Sequence, residues 1–324
     1  MAETTYAATV AATLAAAMRA DERVVVFGED VALGGPYLTT KGLAEEFGTD
    51  RVVNTPISEA AICGVAVGAA QSGLRPVVEV MFVDFLTLAL DQLVNGAAKA
   101  HFMSGGQLAV PMVLRTQGGA GQRGAAQHSQ SLESWLVHVP GLKVVVPSCA
   151  REVAALLPTA LADPNPVVVV ESKTLYFRRE TLPDGGVEPE PLGRARVLRR
   201  GSDVTVVATS RMVHDALEAA AELGAQGVEA EVIDPRTLVP LDLPAIAGSV
   251  ARTGRLVVAH EAVRQGGFGA EIAAQVQEAC FYDLDAPIAR VGAPFTPVPL
   301  SPALEDAYLP GVAGILAGVR SVLG

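Results

Sequence analysis

Short runs of β-branched residues alternate along most of the chain with longer segments rich in alanine and other small residues. Strands that alternate with helices are typical of a parallel sheet covered by helices on both faces. The sequence therefore predicts an α/β fold. The predicted strands span residues 24–27, 51–54, 76–81, 112–115, 143–147 and 167–171 in the first half, and residues 204–208, 229–233, 256–259 and 288–291 in the second.

A polar stretch rich in proline and glycine interrupts this alternation at residues 178–193 and has the composition of a linker. We therefore expect a first α/β domain over residues 1–180, a linker over 181–202 and a smaller α/β domain over 203–324. The proline-rich segment 286–299 is expected to run over the surface rather than continue a central strand, where a partner could contact it.

The composition limits the classes of function. The formal net charge is −11, which argues against nucleic acid as a partner because phosphate binding needs clustered Lys and Arg. Half of the residues are hydrophobic and only 18% are charged, so we expect part of the surface to be buried against other subunits.

The cysteines and the apolar segments predict a cytoplasmic protein. Cys63, Cys149 and Cys280 lie far apart, so they form neither a disulfide framework nor a metal-binding pattern, and Cys63 is expected to be a small core side chain. The stretch from Tyr6 to Ala20 is expected to be an amphipathic helix rather than a signal peptide, and no apolar run is long enough to cross a membrane.

Glu59 is the first candidate for chemistry. It follows a predicted strand and a proline turn, and Ser58 is placed to cap a helix over residues 60–73. That helix contains no charged residue, so we expect it to be buried on nearly every face. From spacing alone, Glu59 is either a carboxylate favourably placed at the positive end of the helix dipole or a functional group.

Two further segments leave similar alternatives open. Phe85 follows a predicted strand, where a ring could stack on a flat ligand or simply belong to the core. His128 lies in a glycine-rich loop, 118–130, among polar neighbours that argue against a core histidine and leave a catalytic or ligand-contacting role as an open alternative to a structural one.

Several segments, taken in their order along the chain, closely resemble the beta subunit of the decarboxylating component of 2-oxo acid dehydrogenase complexes. This family includes the pyruvate, branched-chain and acetoin dehydrogenases. The resemblance covers nearly the whole chain. The segments that carry it are residues 26–31, 54–59, 81–85, 90–95, 127–131 and 139–145.

The resemblance implies a thiamine-diphosphate-binding, transketolase-like pyrimidine domain with a parallel sheet, followed by a smaller C-terminal α/β domain for assembly. It implies that Glu59 hydrogen-bonds the cofactor's aminopyrimidine, that Phe85 stacks on it, and that His128 faces the substrate. Further cofactor-lining positions match Glu29, Ile57, Ser58 and Met81.

The family also binds a structural potassium ion, largely through backbone oxygens. The matching positions are Met112, Ala160, Leu161, Asp163 and Asn165.

Single-chain thiamine enzymes hold the diphosphate and Mg²⁺ with a Gly-Asp-Gly segment, which this sequence does not contain. The resemblance therefore implies an alpha subunit that supplies this half of the site in an alpha-2 beta-2 assembly. It also implies a lipoyl-bearing acyltransferase as the second partner.

The expected function is decarboxylation of a 2-oxo acid, with pyruvate first, or cleavage of acetoin, followed by reductive acyl transfer to a lipoyl group. Residues 81–85 and 293–299 look closer to the pyruvate and acetoin members than to the branched-chain ones. The alternatives are a two-chain transketolase-like carboligase without lipoyl transfer, and a scaffold that has lost catalysis.

Overall fold

A computed structural model describes residues 2–324 and divides the chain into two compact units. The first contains the chain up to Gly118 together with Trp135–Leu192, and the second contains Gly119–Ser134 and Gly193–Gly324. The break after Leu192 falls within the stretch expected to be a linker. The transfer of Gly119–Ser134 to the second unit was not predicted, and the expected domain limits stay a prediction.

The first unit is built on a parallel sheet. Its strands lie in the order β6-β7-β5-β4-β2-β3, and each neighbouring pair is parallel. The strands are β2 Val24–Gly28, β3 Val52–Asn54, β4 Arg75–Val80, β5 Val113–Gly118, β6 Lys143–Val145 and β7 Val167–Ser172, with β1 Ala2–Thr5 and β8 Arg179–Leu182 in a separate pair.

Helices cover both faces of this sheet. Val24 and Val26 pack into a core with the first and last long helices of the unit, while Val25 and Val78 are buried on the opposite face. The helices are α1 Tyr6–Ala20, α2 Leu43–Phe47, α3 Glu59–Gln71, α4 Leu86–Asp91, α5 Ala98–Met103, α6 Glu133–Val137, which contains the unit boundary, and α7 Ala150–Ala162, with a π-helical segment at Gln92–Ala97 and 3-10 turns at Val31–Leu33 and Lys173–Leu175.

The N-terminal helix α1 has the bounds that its pattern predicted. Thr5 caps it, since its side chain accepts a hydrogen bond from the Ala8 amide at 3.2 Å. Its apolar stripe, which includes Val10 and Leu14, is buried. This confirms the expected amphipathic helix.

The second unit has its own sheet, in the order β14-β13-β10-β11-β9, with β9 antiparallel to β11 and the other pairs parallel. Its core lies between this sheet and two helices that supply Met212 and Ile315. The elements are β9 Arg196–Arg199, β10 Val204–Ala208, α8 Met212–Gly224, β11 Ala230–Asp234, β12 Thr237–Val239, α9 Leu243–Thr253, β13 Leu256–Val263, α10 Gly269–Cys280, a 3-10 turn Phe281–Asp283, β14 Ala289–Ala293, α11 Pro302–Tyr308 and α12 Val312–Leu323.

Three local expectations need correction. The stretch expected to be linker contains strand structure, because β8 pairs with β1 and β9 pairs with β11 through backbone hydrogen bonds that do not require apolar side chains. The segment after β14 is not wholly superficial, since Val298 is buried in a small apolar cluster. Helix α3 is buried on one face only, and Val65 is exposed on the other.

Candidate active site

Three adjacent strands of the first unit place most of the predicted cofactor residues at one edge of its sheet. β2 lies between β3 and β4, with Gly28 paired to Asn54 on one side and to Glu79 on the other. The carboxyl ends of parallel strands form the usual ligand-binding edge of an open α/β sheet. The residues that follow these ends are Glu29 after β2, Ile57, Ser58 and Glu59 after β3, and Met81 and Phe85 after β4.

Glu59 is the first residue of α3 and its side chain is turned inward. Only 5% of the residue is exposed. Within the part of the chain that the structure describes, its carboxylate accepts no hydrogen bond and forms no ion pair. Its oxygens are not among the fully buried side-chain atoms that lack a hydrogen bond, so the carboxylate stays accessible to a ligand that donates one.

Glu29 gives the same edge a second carboxylate. Burial raises the pKa of the Glu29 carboxyl, and the nearby charges of Glu59 and Asp30 raise it further. The charge effect shows that Glu29 and Glu59 are close enough to interact. A group with donor hydrogens relieves this repulsion, whereas an anion would increase it.

Ser58 and Ile57 lie in the turn before α3. Ser58 occupies the N-cap position, but its hydroxyl donates to the Pro56 carbonyl at 3.1 Å and makes no cap hydrogen bond. The expected side-chain cap is therefore wrong, because the hydroxyl is used within the proline turn. Ile57 is 82% exposed, so the chain alone leaves a large aliphatic side chain at the surface.

Met81 and Phe85 are both partly buried at the end of β4. The Phe85 ring meets the Phe82 ring edge to face, with centroids 5.8 Å apart at 86°. The Lys173 ammonium lies 5.4 Å from the Phe82 ring centroid. Phe85 is thus supported by a second ring at the end of β4 and is only partly buried.

His128 belongs to the second unit, in the loop Gly119–Ser134. It is partly buried, and the adjacent Ser129 is only 2% exposed. Gly124 allows the loop to close on itself, because a Cβ there would lie 2.8 Å from Ser129 Oγ and 2.9 Å from the His128 carbonyl oxygen. The histidine is therefore held in a folded loop rather than a free chain.

A titratable residue that follows the His128 turn was not predicted from the sequence. Desolvation raises the pKa of the Glu133 carboxyl to about 7, and the charge of Glu261 contributes in the same direction. Glu133 opens α6 directly after the loop. An acidic residue in a first helical turn is common, so no local pattern distinguished it.

A buried ionic cluster beneath the edge of the first sheet was also missed. The Arg115 guanidinium donates two hydrogen bonds to Glu171, each 2.8 Å, and one of 2.7 Å to Glu79. All three residues are buried, and Thr39 donates to Glu79 at 3.1 Å. The available signal was a charged residue within each of three strands that the sequence predicted to be buried.

The positions expected to hold potassium lie around the end of α7 and the start of β5. The Met112 carbonyl accepts from the Val167 amide at 3.0 Å, and the Leu161 carbonyl accepts from Arg75 Nη1 at 2.8 Å. Asp163 pairs with Lys143 and binds the Asn165 amide at 2.9 Å. The Arg75 guanidinium and the Lys143 ammonium thus already contact two of these positions, and the potassium site stays a prediction.

Cys63 is fully buried, as expected for a core side chain. Burial raises the pKa of its thiol to about 12, with a further contribution from the Glu59 charge, so the reactive thiolate is scarce at neutral pH. Among residues 2–324, no helix combines the length and apolar character needed to span a membrane. No group of three His, Cys, Asp or Glu residues there is arranged to hold a metal ion.

Two family models match successive parts of the chain. Residues 2–178 match the transketolase pyrimidine binding domain, and residues 193–315 match the transketolase C-terminal domain. A solved structure described as a split gene transketolase, inactive beta4 tetramer, superposes with a TM-score of 0.79 at 26% identity, covering 97% of this chain and 96% of that one. The fold class is therefore a transketolase-like, two-domain α/β chain.

Two relatives define the family more narrowly. The chain is 46% identical over 310 residues to the pyruvate dehydrogenase E1 component subunit beta of Rhizobium meliloti, covering 95% of this chain and 67% of that protein. It is 47% identical over 321 residues to the acetoin:2,6-dichlorophenolindophenol oxidoreductase subunit beta of Bacillus subtilis, covering 95% and 94%. The chain belongs to this family of dehydrogenase beta subunits, a thiamine-diphosphate-dependent family of multi-subunit oxidoreductases.

Proposed function

We propose that the first unit binds the aminopyrimidine of thiamine diphosphate and that Glu59 is its proton-handling group. The observation that carries this proposal is the position of Glu59 at the edge formed by β2, β3 and β4, where it is only 5% exposed and its carboxylate makes no hydrogen bond or ion pair with residues 2–324. A ring nitrogen that donates a hydrogen bond to this carboxylate would satisfy it. Glu59 and Phe85 would hold the aminopyrimidine ring, and the bound cofactor would supply a nucleophilic carbon for chemistry at the substrate carbonyl.

The neighbouring residues fit the same ligand. Phe85 offers a partly exposed ring that can stack on a flat heterocycle. Glu29 adds negative charge next to Glu59, which strengthens the preference for a donor. Ile57, Ser58 and Met81 border the same edge, with Ile57 available to contact a ligand or a partner.

His128 is proposed to act on the substrate side, in proton transfer during substrate processing or acyl transfer to a lipoyl group. An imidazole can both accept and donate a proton, which suits a step in which an oxygen or a thiol changes its protonation state. The glycine-rich loop places this group outside the regular elements, as is common for catalytic residues.

The relatives are beta subunits, which supports an alpha subunit as the partner in an alpha-2 beta-2 assembly. We propose that the partner holds the diphosphate and Mg²⁺, and that a lipoyl-bearing acyltransferase accepts the acyl group. Helix α3 supports a subunit contact, since its exposed face carries Ala61, Val65 and Gly68 and no charge. The isolated chain would then be inactive.

Pyruvate is the proposed substrate, with acetoin as the second candidate. Relatives named for each of these activities reach similar identity, which supports both. The potassium site around Asp163 is proposed on the donor set described above. The cytoplasmic location expected from the sequence stays a prediction.

The decisive variant is Glu59→Gln in enzyme reconstituted with its alpha subunit. It keeps the size of the side chain but removes the carboxylate, so turnover of pyruvate or acetoin should fall by at least about 100-fold. Glu45→Gln is the matched control, since Glu45 also lies in a first helical turn but is exposed. Near-normal turnover of the Glu59 variant, with the cofactor bound, would remove Glu59 from the mechanism.

A carboligase without lipoyl transfer is not favoured, because the relatives with nearly half of their residues identical are dehydrogenase subunits. Incubating the assembled enzyme with pyruvate and a lipoylated domain distinguishes the two. Acyl-lipoyl product is expected. Decarboxylation without any such product would favour the carboligase.

A further inference from the structure

Two carboxylates of the second unit hold the root of the loop that carries His128. Glu261 accepts a hydrogen bond of 2.5 Å from the Ala120 amide. Glu305 accepts one of 2.8 Å from the Gly121 amide through one oxygen and one of 3.2 Å from the Arg123 amide through the other. Three backbone amides within four residues are thus fixed by side chains more than 140 positions further along the chain.

Glu305 binds the loop backbone through both of its carboxylate oxygens. It lies on α11 and its side chain is fully buried. The Arg123 side chain donates to the same oxygen that accepts from its own amide, with Nη1 at 2.6 Å. One buried carboxylate therefore binds both the backbone and the side chain of Arg123, and charge-assisted bonds of this kind are stronger than neutral ones.

Glu261 is itself oriented by a second contact. The Arg211 guanidinium donates from Nε to Glu261 at 2.5 Å, and it also binds Asp215 at 2.8 Å. Gly119 has a positive φ of 88°, and a Cβ there would lie 2.6 Å from the Glu261 carboxylate. Only glycine gives this carboxylate access to the Ala120 amide.

The contacts at the root are linked to His128 by a compact turn. Arg123 and Ala125 both adopt the left-handed region, with φ of 60° and 57°, which non-glycine residues adopt only when their surroundings impose it. Gly124 between them packs against the His128 carbonyl and Ser129. The conformation imposed on Arg123 is thereby passed to His128 itself and to Ser129.

We propose that Glu305, assisted by Glu261, is a positioning residue for His128. This inference rests on the role proposed above for His128. Neither carboxylate is proposed to contact substrate or cofactor. Their function is to hold the loop in the one backbone arrangement that presents the imidazole, so their loss should lower the rate of the step that uses His128 and leave cofactor binding intact.

The test uses Glu305→Gln in the assembled enzyme. An amide has one acceptor oxygen and no charge, so it cannot serve the two amides and the guanidinium together. We expect kcat for acyl transfer from pyruvate to a lipoylated domain to fall about 10- to 100-fold, because small displacements of a catalytic group have effects of this size. The Kd for thiamine diphosphate should stay within about twofold.

Asp306→Asn is the matched control. Asp306 is the next residue, and it binds the same guanidinium, with 2.8 Å to Arg123 Nη2, but it is 64% exposed and accepts no hydrogen bond from the loop backbone. It should retain wild-type kinetics. Amide hydrogen exchange over residues 119–130 should accelerate in the Glu305 variant and remain unchanged in the control.

A double-mutant cycle with His128→Ala distinguishes positioning from general stabilisation. If Glu305 acts through His128, the double variant should be no slower than His128→Ala alone. A full additional loss in the double variant, or unchanged acyl transfer in a folded Glu305→Gln enzyme, would overturn the proposal. If the His128→Ala enzyme instead keeps wild-type kinetics, the role proposed for His128 is refuted.

Arg123→Ala provides a second variant if Glu305→Gln does not assemble. It removes one donor to Glu305 and keeps both backbone contacts. The expected loss in kcat is smaller but should likewise vanish in the His128→Ala background. An additive loss there would contradict the proposal by the same logic.

Discussion

The two regions proposed to carry the chemistry hold their key side chains in different ways. Glu59 is the first residue of the 13-residue helix α3, and its placement follows from a strand, a turn and a helix that are consecutive in the sequence. His128 lies in a loop whose root is held by Glu261 and Glu305, far along the chain. The first arrangement is local and can be predicted from sequence, whereas the second depends on tertiary contacts.

The two regions also differ in the charged side chains that pack near them. Beneath the edge of the first sheet, Arg115 joins Glu79 and Glu171 in a buried ionic cluster. In the second unit, the fully buried Glu305 carboxylate pairs with Arg123. Charge is thus buried in both units, and in the second it contacts the loop that carries His128.

The largest expected effect is on the buried cluster of the first unit. Arg115→Met leaves two buried carboxylates without their cation and should lower the free energy of unfolding by about 3–5 kcal/mol. Urea unfolding of the purified chain measures it. The triple variant Arg115→Met, Glu79→Gln, Glu171→Gln should recover most of the loss, and a single-variant cost below about 1 kcal/mol would mean that the cluster does not support this sheet.

The next effect concerns the pH dependence of the second unit. Burial lowers the pKa of His260 to about 4, and its Nδ1 lies 3.1 Å from the Ala262 carbonyl, which fits a neutral ring that donates there. Between the unfolded pKa near 6.5 and the folded value, the unfolded chain binds more protons, so stability falls as the pH falls.

Between neutral pH and pH 4, the free energy of unfolding of the wild type should therefore fall by about 3 kcal/mol more than that of His260→Asn. Urea unfolding of both chains between pH 4 and 7.5 measures the difference. Parallel pH profiles for the two would show that His260 is not held neutral.

The smallest effect concerns the loop itself. Gly124→Ala adds a methyl group 2.9 Å from the His128 carbonyl oxygen and should slow acyl transfer about tenfold by displacing the imidazole. Gly248→Ala is the matched control, since it lies in α9 with no atom near its Cβ position. Equal kinetics for the two variants would show that the turn at Gly124 does not set the position of His128.

Much of the fold could be predicted because its signals are local. The bounds of α1 and β10 agree with the pattern, and most of the other predicted strands are shifted by only one or two residues at each end. The pair β1 and β8 was missed, since both are short and polar and gain their structure from each other across the unit. Polar pairing of this kind leaves no periodic signal.

The site could be predicted in part for the same reason. The residues at the edge of the first sheet follow strand ends, so Glu29, Glu59 and Phe85 were identified from the chain order and the family resemblance. The expected Ser58 cap was wrong because the hydroxyl binds Pro56 instead. Glu305 could not be recognised, since its three contacts with Gly121 and Arg123 exist only in the folded unit.

The most direct test of the central claim is the exchange rate of the acidic proton on the thiazolium carbon of bound thiamine diphosphate. NMR after rapid quenching in deuterated buffer measures it in the assembled enzyme without any substrate. The account predicts that Glu59→Gln slows this exchange by at least about 100-fold while the cofactor stays bound. Exchange at the wild-type rate in a fully loaded Glu59→Gln enzyme would contradict it.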